Sequence, residues 1–400
     1  MTVDTEVVIV GAGLSGGVLA LLLRRAGLDV AVVDAQPAAT GVDERPDPRA
    51  LAVTPASRRV LEYCGVWPAL PPGRIGAFDG MEVWDAAGPG AIRFRAADLG
   101  EPALGYIIEA GVLQHGVDNA LTGSGVKPYR PAAPQALEFG NETASLVLED
   151  GRRLAARLVV GADGRQSRTR RLAGIGYDET PYPQQAVAAV VETEKPHGAV
   201  ARQRFLAAGP LAFLPMAGTH QCGIVWSTAP AHAEQLLAMA DNEFATALAT
   251  AFEYRLGAVT AIGRRGAFPL IKAQATHYVR DRFALVGDAA HSIHPLAGQG
   301  ANLGWLDVAA LAEVVTESGR DPGNLRRLRR YERWRRSEDR IMQLALDGLH
   351  HLFLRDEAPV TWLRIAGLLL VDRSGPVKHV LMRHAMGLSG DLPRMVTGDL

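Results

Sequence analysis

Three short segments end a run of β-branched residues on glycine and aspartate, and each could bring backbone N–H groups close to a phosphate. In the first, Val7 to Val10 lead into Gly11-Ala12-Gly13-Leu14-Ser15-Gly16, and a second apolar run, Val30 to Val33, stops at Asp34. Between them Leu19, Leu22 and Leu23 recur at helical spacing up to Gly27, which marks a helix end. Gly11 suits a tight turn, Gly13 the close approach of a pyrophosphate, and Gly16 the packing of helix on strand. Leu14 and Ser15 open the helix, whose free N–H groups face the phosphates, and Asp34 accepts hydrogen bonds from a ribose. This spacing leaves the choice between NAD and FAD open.

The second segment runs from Leu158 through Gly161 to Asp163-Gly164, and the third from Phe283 through Gly287-Asp288 to His291, His294-Pro295 and Gly298-Gln299-Gly300-Ala301-Asn302. Asp288 is spaced to meet the ribityl or diphosphate region of a flavin. Gly298 and Gly300 let backbone approach a flat ring, and a helix starting near Ala301 turns its positive end toward the charge of a reduced flavin. A nicotinamide cofactor has no use for this third element, so noncovalent FAD is the expected cofactor. His291 and His294 have no further His or carboxylate cluster at ligand spacing, so no metal site is expected.

The stretch His294 to Asp307 resembles the signature of the ubiquinone-biosynthesis hydroxylase family, which are group A flavoprotein aromatic monooxygenases. Asp47-Pro48-Arg49-Ala50-Leu51, Leu104 to Glu109, Gly209 to Pro215 and Phe268-Pro269-Leu270 extend the resemblance over nearly the whole chain. It implies that Arg49 and Gln114 touch FAD and that the Asp163-Gly164 turn serves both FAD and NAD(P)H, the latter a transient co-substrate. Gly287, Gln299 and Pro295 join the same site, with Pro295 lining the reaction cavity. The implied activity is hydroxylation of a polyprenylated phenol through a C4a-hydroperoxyflavin. Implied partners are that phenol or a quinone precursor, O2, a membrane surface and other proteins of the pathway, with a homo-oligomer left open. Glu109-Ala110-Gly111 departs from the Glu-Asn-Arg usual in the family, and no general base stands out. Two alternatives stay open: a hydroxylase of a small aromatic acid or other phenolic metabolite, which needs an arginine clamp for a carboxylate, and a non-catalytic flavin-binding subunit.

These elements imply an α/β fold. A Rossmann-like FAD-binding domain of the aromatic-hydroxylase type takes residues 1–70, 101–175 and 271–345. An inserted antiparallel sheet from 71–100 and 176–270 forms an α+β two-layer substrate domain, and 346–400 is a helical C-terminal region. A long helix is expected over 324–353, with Leu325, Leu328, Tyr331, Trp334 and Ile341 near one face and eight arginines between 326 and 340 read chiefly as solvated. Beyond it, Trp362, Leu363, Ile365, Leu368, Leu369 and Leu370 could enter a membrane surface, with Arg364, Arg373, Lys378 and Arg383 near anionic headgroups, or the same leucines could pack on the FAD-binding domain or form an oligomer interface. Lys+Arg 42 against Asp+Glu 43 gives no case for nucleic acid, and two cysteines fit neither a disulfide scaffold nor a thiolate zinc site. The longest uncharged run, Val7 to Leu23, is short for a spanning helix and has no cationic leader, so a cytoplasmic chain is expected, and the C-terminal apolar run leaves peripheral contact with the inner face of the membrane open.

Overall fold

The computed structural model describes residues 3–43, 45–292, 300–317, 321–354 and 357–398. Apolar runs without polar alternation suit strands covered on both faces. Thr5–Val10, Val30–Val33, Arg153–Gly161 and Phe283–Leu285 are such strands, and they are largely buried. They belong to an eight-stranded sheet in the order Val279–Arg280, Phe283–Leu285, Arg153–Gly161, Thr5–Val10, Val30–Val33, Lys127–Tyr129. The hairpin of Pro134–Phe139 and Ala144–Leu148 is added on Arg153–Gly161. Val10 lies beside Gly161, and Gly161 beside Leu285, in parallel register. The three glycine turns therefore leave the sheet next to one another at the carboxyl ends of its strands, where open α/β sheets bind ligands. Helix Leu14–Arg25 packs there against Ala110–Leu121 and Gly300–Thr316.

A second eight-stranded sheet runs His291–Ser292, Val259–Ala275, Tyr177–Thr193, Gln221–Thr228, Gly209–Pro215, Val200–Leu206, Gly80–Asp85, Ala91–Arg95. It is antiparallel except where Val200–Leu206 lies parallel to Gly80–Asp85. Those two strands come from distant parts of the chain, so no hairpin turn dictates their relative direction. Alternation sorts the sheet's faces: Val187, Leu211, Phe213 and Ile224 pack with Phe244, Leu248 and Phe252 of the covering helices. Ala212, Leu214 and Val225 face the opposite way, toward the small sheet of Ala50–Val53, Gly105–Glu109 and Gly76–Phe78.

The C-terminal half of the chain corrects three expectations. In the helix Leu325–Leu354, Ile341 is 54 % exposed and off the apolar face. Arg327 and Arg335 are buried rather than solvated, Arg327 donating to the Val315 and Glu317 carbonyls. In the helix Ala358–Arg373, Arg364 is not at a surface either. It is buried in an ion pair with Asp85 and donates to the Leu352 and Phe353 carbonyls. Ile365 lies against Gly88 and Gly90, and Leu368 packs with Val83 and Ile92, so neither belongs to an outer face. Lys378 pairs with Asp372. In the helix Ala358–Arg373 the large exposed apolar side chains are Trp362, Leu363, Leu369 and Leu370, joined by Val377, Val380 and Leu381 of the helix Gly375–Ala385. No helix among the described residues is long and apolar enough to cross a membrane.

Candidate functional site

The first turn is held by backbone packing on one side and left open on the other. Gly11 has φ +103°, and a Cβ there would lie 2.3 Å from the Ala162 carbonyl oxygen. A Cβ at Gly16 would lie 1.9 Å from the Gly11 carbonyl oxygen, whereas one at Gly13 meets nothing within 4 Å. Side chains from three other elements fix the turn. The Ala12 N–H donates to Asp34 Oδ2 at 2.6 Å, Gln114 Nε2 donates to the Ala12 carbonyl at 3.0 Å, and Trp305 Nε1 donates to the Leu14 carbonyl at 3.0 Å. Ser15 fills the space between Gly287 and Gly304, joining the first turn to the third. Asp34, half-buried at the end of its strand, also accepts from the Gln36 N–H at 2.7 Å.

In the second turn the Asp163 carboxylate is already committed. It accepts from Ser167 Oγ, Thr169 Oγ1 and the N–H groups of Arg168 and Thr169, so its work is to shape the turn that Gly164, at φ +75°, completes. Arg170 ties this turn to the third through the Ala289 carbonyl at 2.8 Å. In the third turn, Gly287 has φ +59° and donates its N–H to Asp307 Oδ2 at 3.1 Å. The Asp288 carboxyl is crowded by protein yet opens to solvent on one side, and desolvation raises its pKa against the pull of His291. Gly300 and Ala301 begin the helix Gly300–Thr316. Buried Asn302 accepts from the Thr54 N–H at 2.9 Å and donates to the Ala52 carbonyl at 2.7 Å, so its amide clamps the helix start to the small sheet. Pro295, Gly298 and Gln299 lie outside the described residues.

One cavity adjoins the first turn, and a second lies beside the small sheet to which Asn302 clamps the third. The first, about 370 Å³, is lined by Leu14, Arg49 and Gln114 with Asp47 and Glu109. Arg49 is mostly exposed and pairs with Asp47 at 3.2 Å. Glu109 is buried and accepts from Arg74 Nε at 2.7 Å and Nη2 at 2.8 Å. Asp118 and Arg130, not singled out in the sequence, form a further support: Asp118 accepts from Gln114 at 3.2 Å, from Arg130 at 2.5 Å and from the Ala39 N–H at 3.0 Å. The second cavity, about 260 Å³, lies between the inner face of the second sheet and Ala50–Thr54, and its lining is almost wholly apolar, including Phe78, Phe94, Leu214, Met382 and Met386. No titratable side chain lines it among the described residues. A larger recess near Trp226 and His232 is open to solvent and contains none of the fingerprint residues.

Behind the third turn the structure corrects the reading of His291. Two carboxylates do join it: His291 Nε2 lies 2.6 Å from Asp307 and 3.3 Å from Asp339, all fully buried. Three such groups could ligate a metal. Here the position between the carboxylates is taken by Arg335, with Nε 2.9 Å from Asp307 and Nη2 3.3 Å from Asp339. Two positive and two negative groups thus compensate one another. Burial works against a charged His291, yet Asp339 and Asp307 hold its pKa up at about 9. Burial alone would raise Asp307, but His291 and Arg335 bring it below its ordinary value.

A family model described as FAD binding domain matches residues 4–344. The chain is 38 % identical to the ubiquinone hydroxylase UbiL of Rhodospirillum rubrum, over 98 % of this chain and 92 % of the relative. It is also 38 % identical to the 3-demethoxyubiquinol 3-hydroxylase of Escherichia coli, over 96 % of this chain and 99 % of that protein. The chain belongs to the FAD-dependent ubiquinone-biosynthesis hydroxylases. The resemblance drawn from the sequence therefore holds, and with it the cofactor: the enzyme is an FAD-dependent monooxygenase that draws on NAD(P)H. The p-nitrophenol 4-monooxygenase of Pseudomonas putida shares the fold, with a TM-score of 0.78 at 18 % identity over 98 % of this chain and 99 % of that one.

Proposed function

We propose that this enzyme hydroxylates the aromatic ring of a polyprenylated phenol in ubiquinone biosynthesis. The observation that carries the reading is the apolar cavity beside the small sheet that Asn302 clamps, whose lining offers a prenyl chain contacts and a carboxylate no cation among the described residues. The small-aromatic-acid alternative requires a cation to clamp its carboxylate, and no Arg or Lys lines this cavity among the described residues.

The residues present fit FAD. Gly13 leaves open the side of the first turn that a pyrophosphate needs, while Gly11 and Gly16 are closed by backbone. Gly11, Gly13, Leu14, Ser15 and Gly16 would hold the diphosphate through backbone N–H groups, and Asp34 retains lone pairs for the adenosine ribose after its two backbone bonds. Arg49 and Gln114 would border the chain of the cofactor in the first cavity. Asp288, with the helix start at Gly300, Ala301 and Asn302, would meet the ribityl and ring, Asn302 through its backbone because its amide is committed. The Asp163-Gly164 turn would support the same region. When bound and reduced by NAD(P)H, FAD supplies the reaction with O2 that delivers oxygen to the ring. The chain's own task is to exclude water and present the correct ring carbon, which the apolar lining and Met382 and Met386 of the covering segment serve.

The direct test is NAD(P)H consumption by the FAD-loaded enzyme in air. A short-chain prenylated phenol is expected to accelerate it severalfold and to gain one oxygen by mass spectrometry, while 4-hydroxybenzoate leaves the rate at background. Acceleration by 4-hydroxybenzoate alone would overturn the reading.

Peripheral membrane contact belongs to the same proposal. Trp362, Leu363, Leu369 and Leu370 share one helical face, and Leu381 is both exposed and part of the cavity lining, so the apolar surface continues into the cavity mouth. Leu370→Glu combined with Val380→Glu is expected to abolish flotation with anionic liposomes while FAD stays bound. Unchanged flotation would show that this surface does not face lipid.

A further inference from the structure

The apolar cavity contains three polar side chains among its lining residues, Thr54, Gln203 and Ser227. The Thr54 hydroxyl is used: it accepts from the Ser57 N–H at 3.2 Å and lies 3.0 Å from Ser57 Oγ, at the start of the helix Pro55–Tyr63. Gln203 and Ser227 are different. Both are buried, 8 % and 2 % exposed, and neither side chain makes a hydrogen bond to any described residue. Neither is among the polar atoms sealed without a partner, so both open onto the cavity they line. Each polar group is thus open to whatever occupies the cavity, and a ligand that displaced water from it without replacing the hydrogen bond would bind less favourably.

Their placement says what that occupant is. Gln203 lies opposite Ala212, and Ala212 opposite Val225, so Ser227 stands two strands across and two residues along from Gln203. From ordinary strand spacing their Cα atoms are roughly 12 Å apart. Between them the floor is small: Ala212 and Pro210 leave room for a flat ring lying on the sheet. An aromatic ring with oxygens at opposite positions, plus one hydrogen bond at each end, spans roughly 11 Å between the protein atoms that meet it, a separation that the long, rotatable Gln203 side chain can set above Cα atoms this far apart. The amide offers both donor and acceptor, and the hydroxyl offers the same, so each can meet a phenol or an ether oxygen.

We propose that Gln203 and Ser227 hydrogen-bond two oxygen substituents of the substrate ring and so fix which ring carbon faces the flavin side. This rests on reading the cavity as the site of a prenylated phenol, and it narrows that substrate to a ring oxygenated at two separated positions. The aliphatic chain then runs toward Leu381 and Met382, away from both polar groups. The pair acts by orientation and takes no part in proton transfer, because neither side chain titrates near neutral pH.

The test is anaerobic titration of the FAD-loaded enzyme, without NAD(P)H, followed by flavin absorbance. The probes are a geranylated phenol bearing a methoxy group para to its hydroxyl and the same phenol without the methoxy group. Wild type is expected to favour the methoxyphenol about tenfold, the worth of one hydrogen bond to an otherwise unpaired buried group. Gln203→Leu or Ser227→Ala, whichever faces the methoxy oxygen, should abolish that preference, and the other should weaken both probes. With NAD(P)H and O2, the same variants should replace a single hydroxylated isomer by a mixture. Ala212→Val serves as the comparison, since it narrows the floor without touching a polar group and should weaken both probes equally. If Gln203→Leu and Ser227→Ala both behave like Ala212→Val, or both keep wild-type discrimination, the pair does not read ring oxygens. If wild type binds neither probe, the cavity reading itself fails and the inference with it. Flavin absorbance per chain verifies in each variant that the fold and cofactor are retained.

Discussion

Gly13→Val is expected to give a folded protein that purifies without flavin. The position has φ −68° and ψ −169°, an extended conformation that valine adopts without strain, and a Cβ there meets no atom of the described residues beyond its chain neighbours within 4 Å. The open side of the turn is where a bound diphosphate would lie, so the added side chain is expected to meet ligand before protein. Its neighbour in the motif gives the opposite result. A Cβ at Gly16 would lie 1.9 Å from the Gly11 carbonyl oxygen and 2.9 Å from Ala162 Cβ, so Gly16→Ala must push apart the first helix and the second turn. Overpacking of that kind costs roughly 1–3 kcal/mol or more and should lower yield and melting temperature together. The measurement is flavin absorbance per chain beside thermal unfolding of the flavin-free protein. At Gly13→Val the first should fall at least tenfold while the second stays at the wild-type apoprotein value. A Gly13→Val protein that stays yellow would remove the diphosphate from this turn.

The contrast between these glycines marks what the sequence made legible. Each glycine turn is local chemistry: a buried β-branched run, a break, and a helix start within a few residues. The side-by-side arrangement of the turns is not local. It follows from Val10 lying beside Gly161 and Gly161 beside Leu285, pairings across more than a hundred residues that no periodicity reports. Asp118 and Arg130 were missed for the same reason, since neither sits in a recognisable motif and their role is to hold Gln114 and the Ala39 N–H. Arg364 and Asp85 are 279 residues apart, so a basic residue within an apolar stretch resembled a headgroup contact when it is an internal ion pair. Gln203 and Ser227 were hidden by ordinary strand alternation, which carries no sign of whether a polar residue faces water or a cavity.

One miss had a readable signal. Leu328, Tyr331, Arg335 and Asp339 are spaced by three, four and four residues, which puts an arginine and an aspartate on the same helical face as a buried leucine and tyrosine. Charges on an apolar face are buried only if paired, so the spacing called for partners from elsewhere. His291 and Asp307 are those partners.

The second large effect falls on this cluster. Arg335→Met removes one of two cations from a fully buried set and leaves Asp307 and Asp339 facing His291 alone. Breaking a buried pair in this way costs about 3–5 kcal/mol, because the remaining charge is uncompensated. The damage should reach the third turn, since Asp307 Oδ2 also accepts the Gly287 N–H, so flavin affinity should fall with the melting temperature. The same cluster gives stability a defined dependence on pH. His291 titrates at about 9 in the folded protein, where Asp339 and Asp307 outweigh the burial that opposes its charge, and at about 6.5 when unfolded. Its contribution is thus complete below about pH 6.5 and is lost as pH rises through 9, the window in which unfolding releases the proton. Asp339, raised to about 6 chiefly by burial, adds a slope of the same sign at lower pH, between its unfolded value near 4 and 6. Other groups also titrate, so the quantity to measure is the difference in unfolding midpoint between wild type and His291→Asn. That difference should be largest near pH 6 and shrink toward pH 9, because only the protonated ring places a positive charge beside the two carboxylates. A difference that stays level across this range would mean that His291 is buried neutral and that Arg335 alone balances one ionised carboxylate, with the second held protonated.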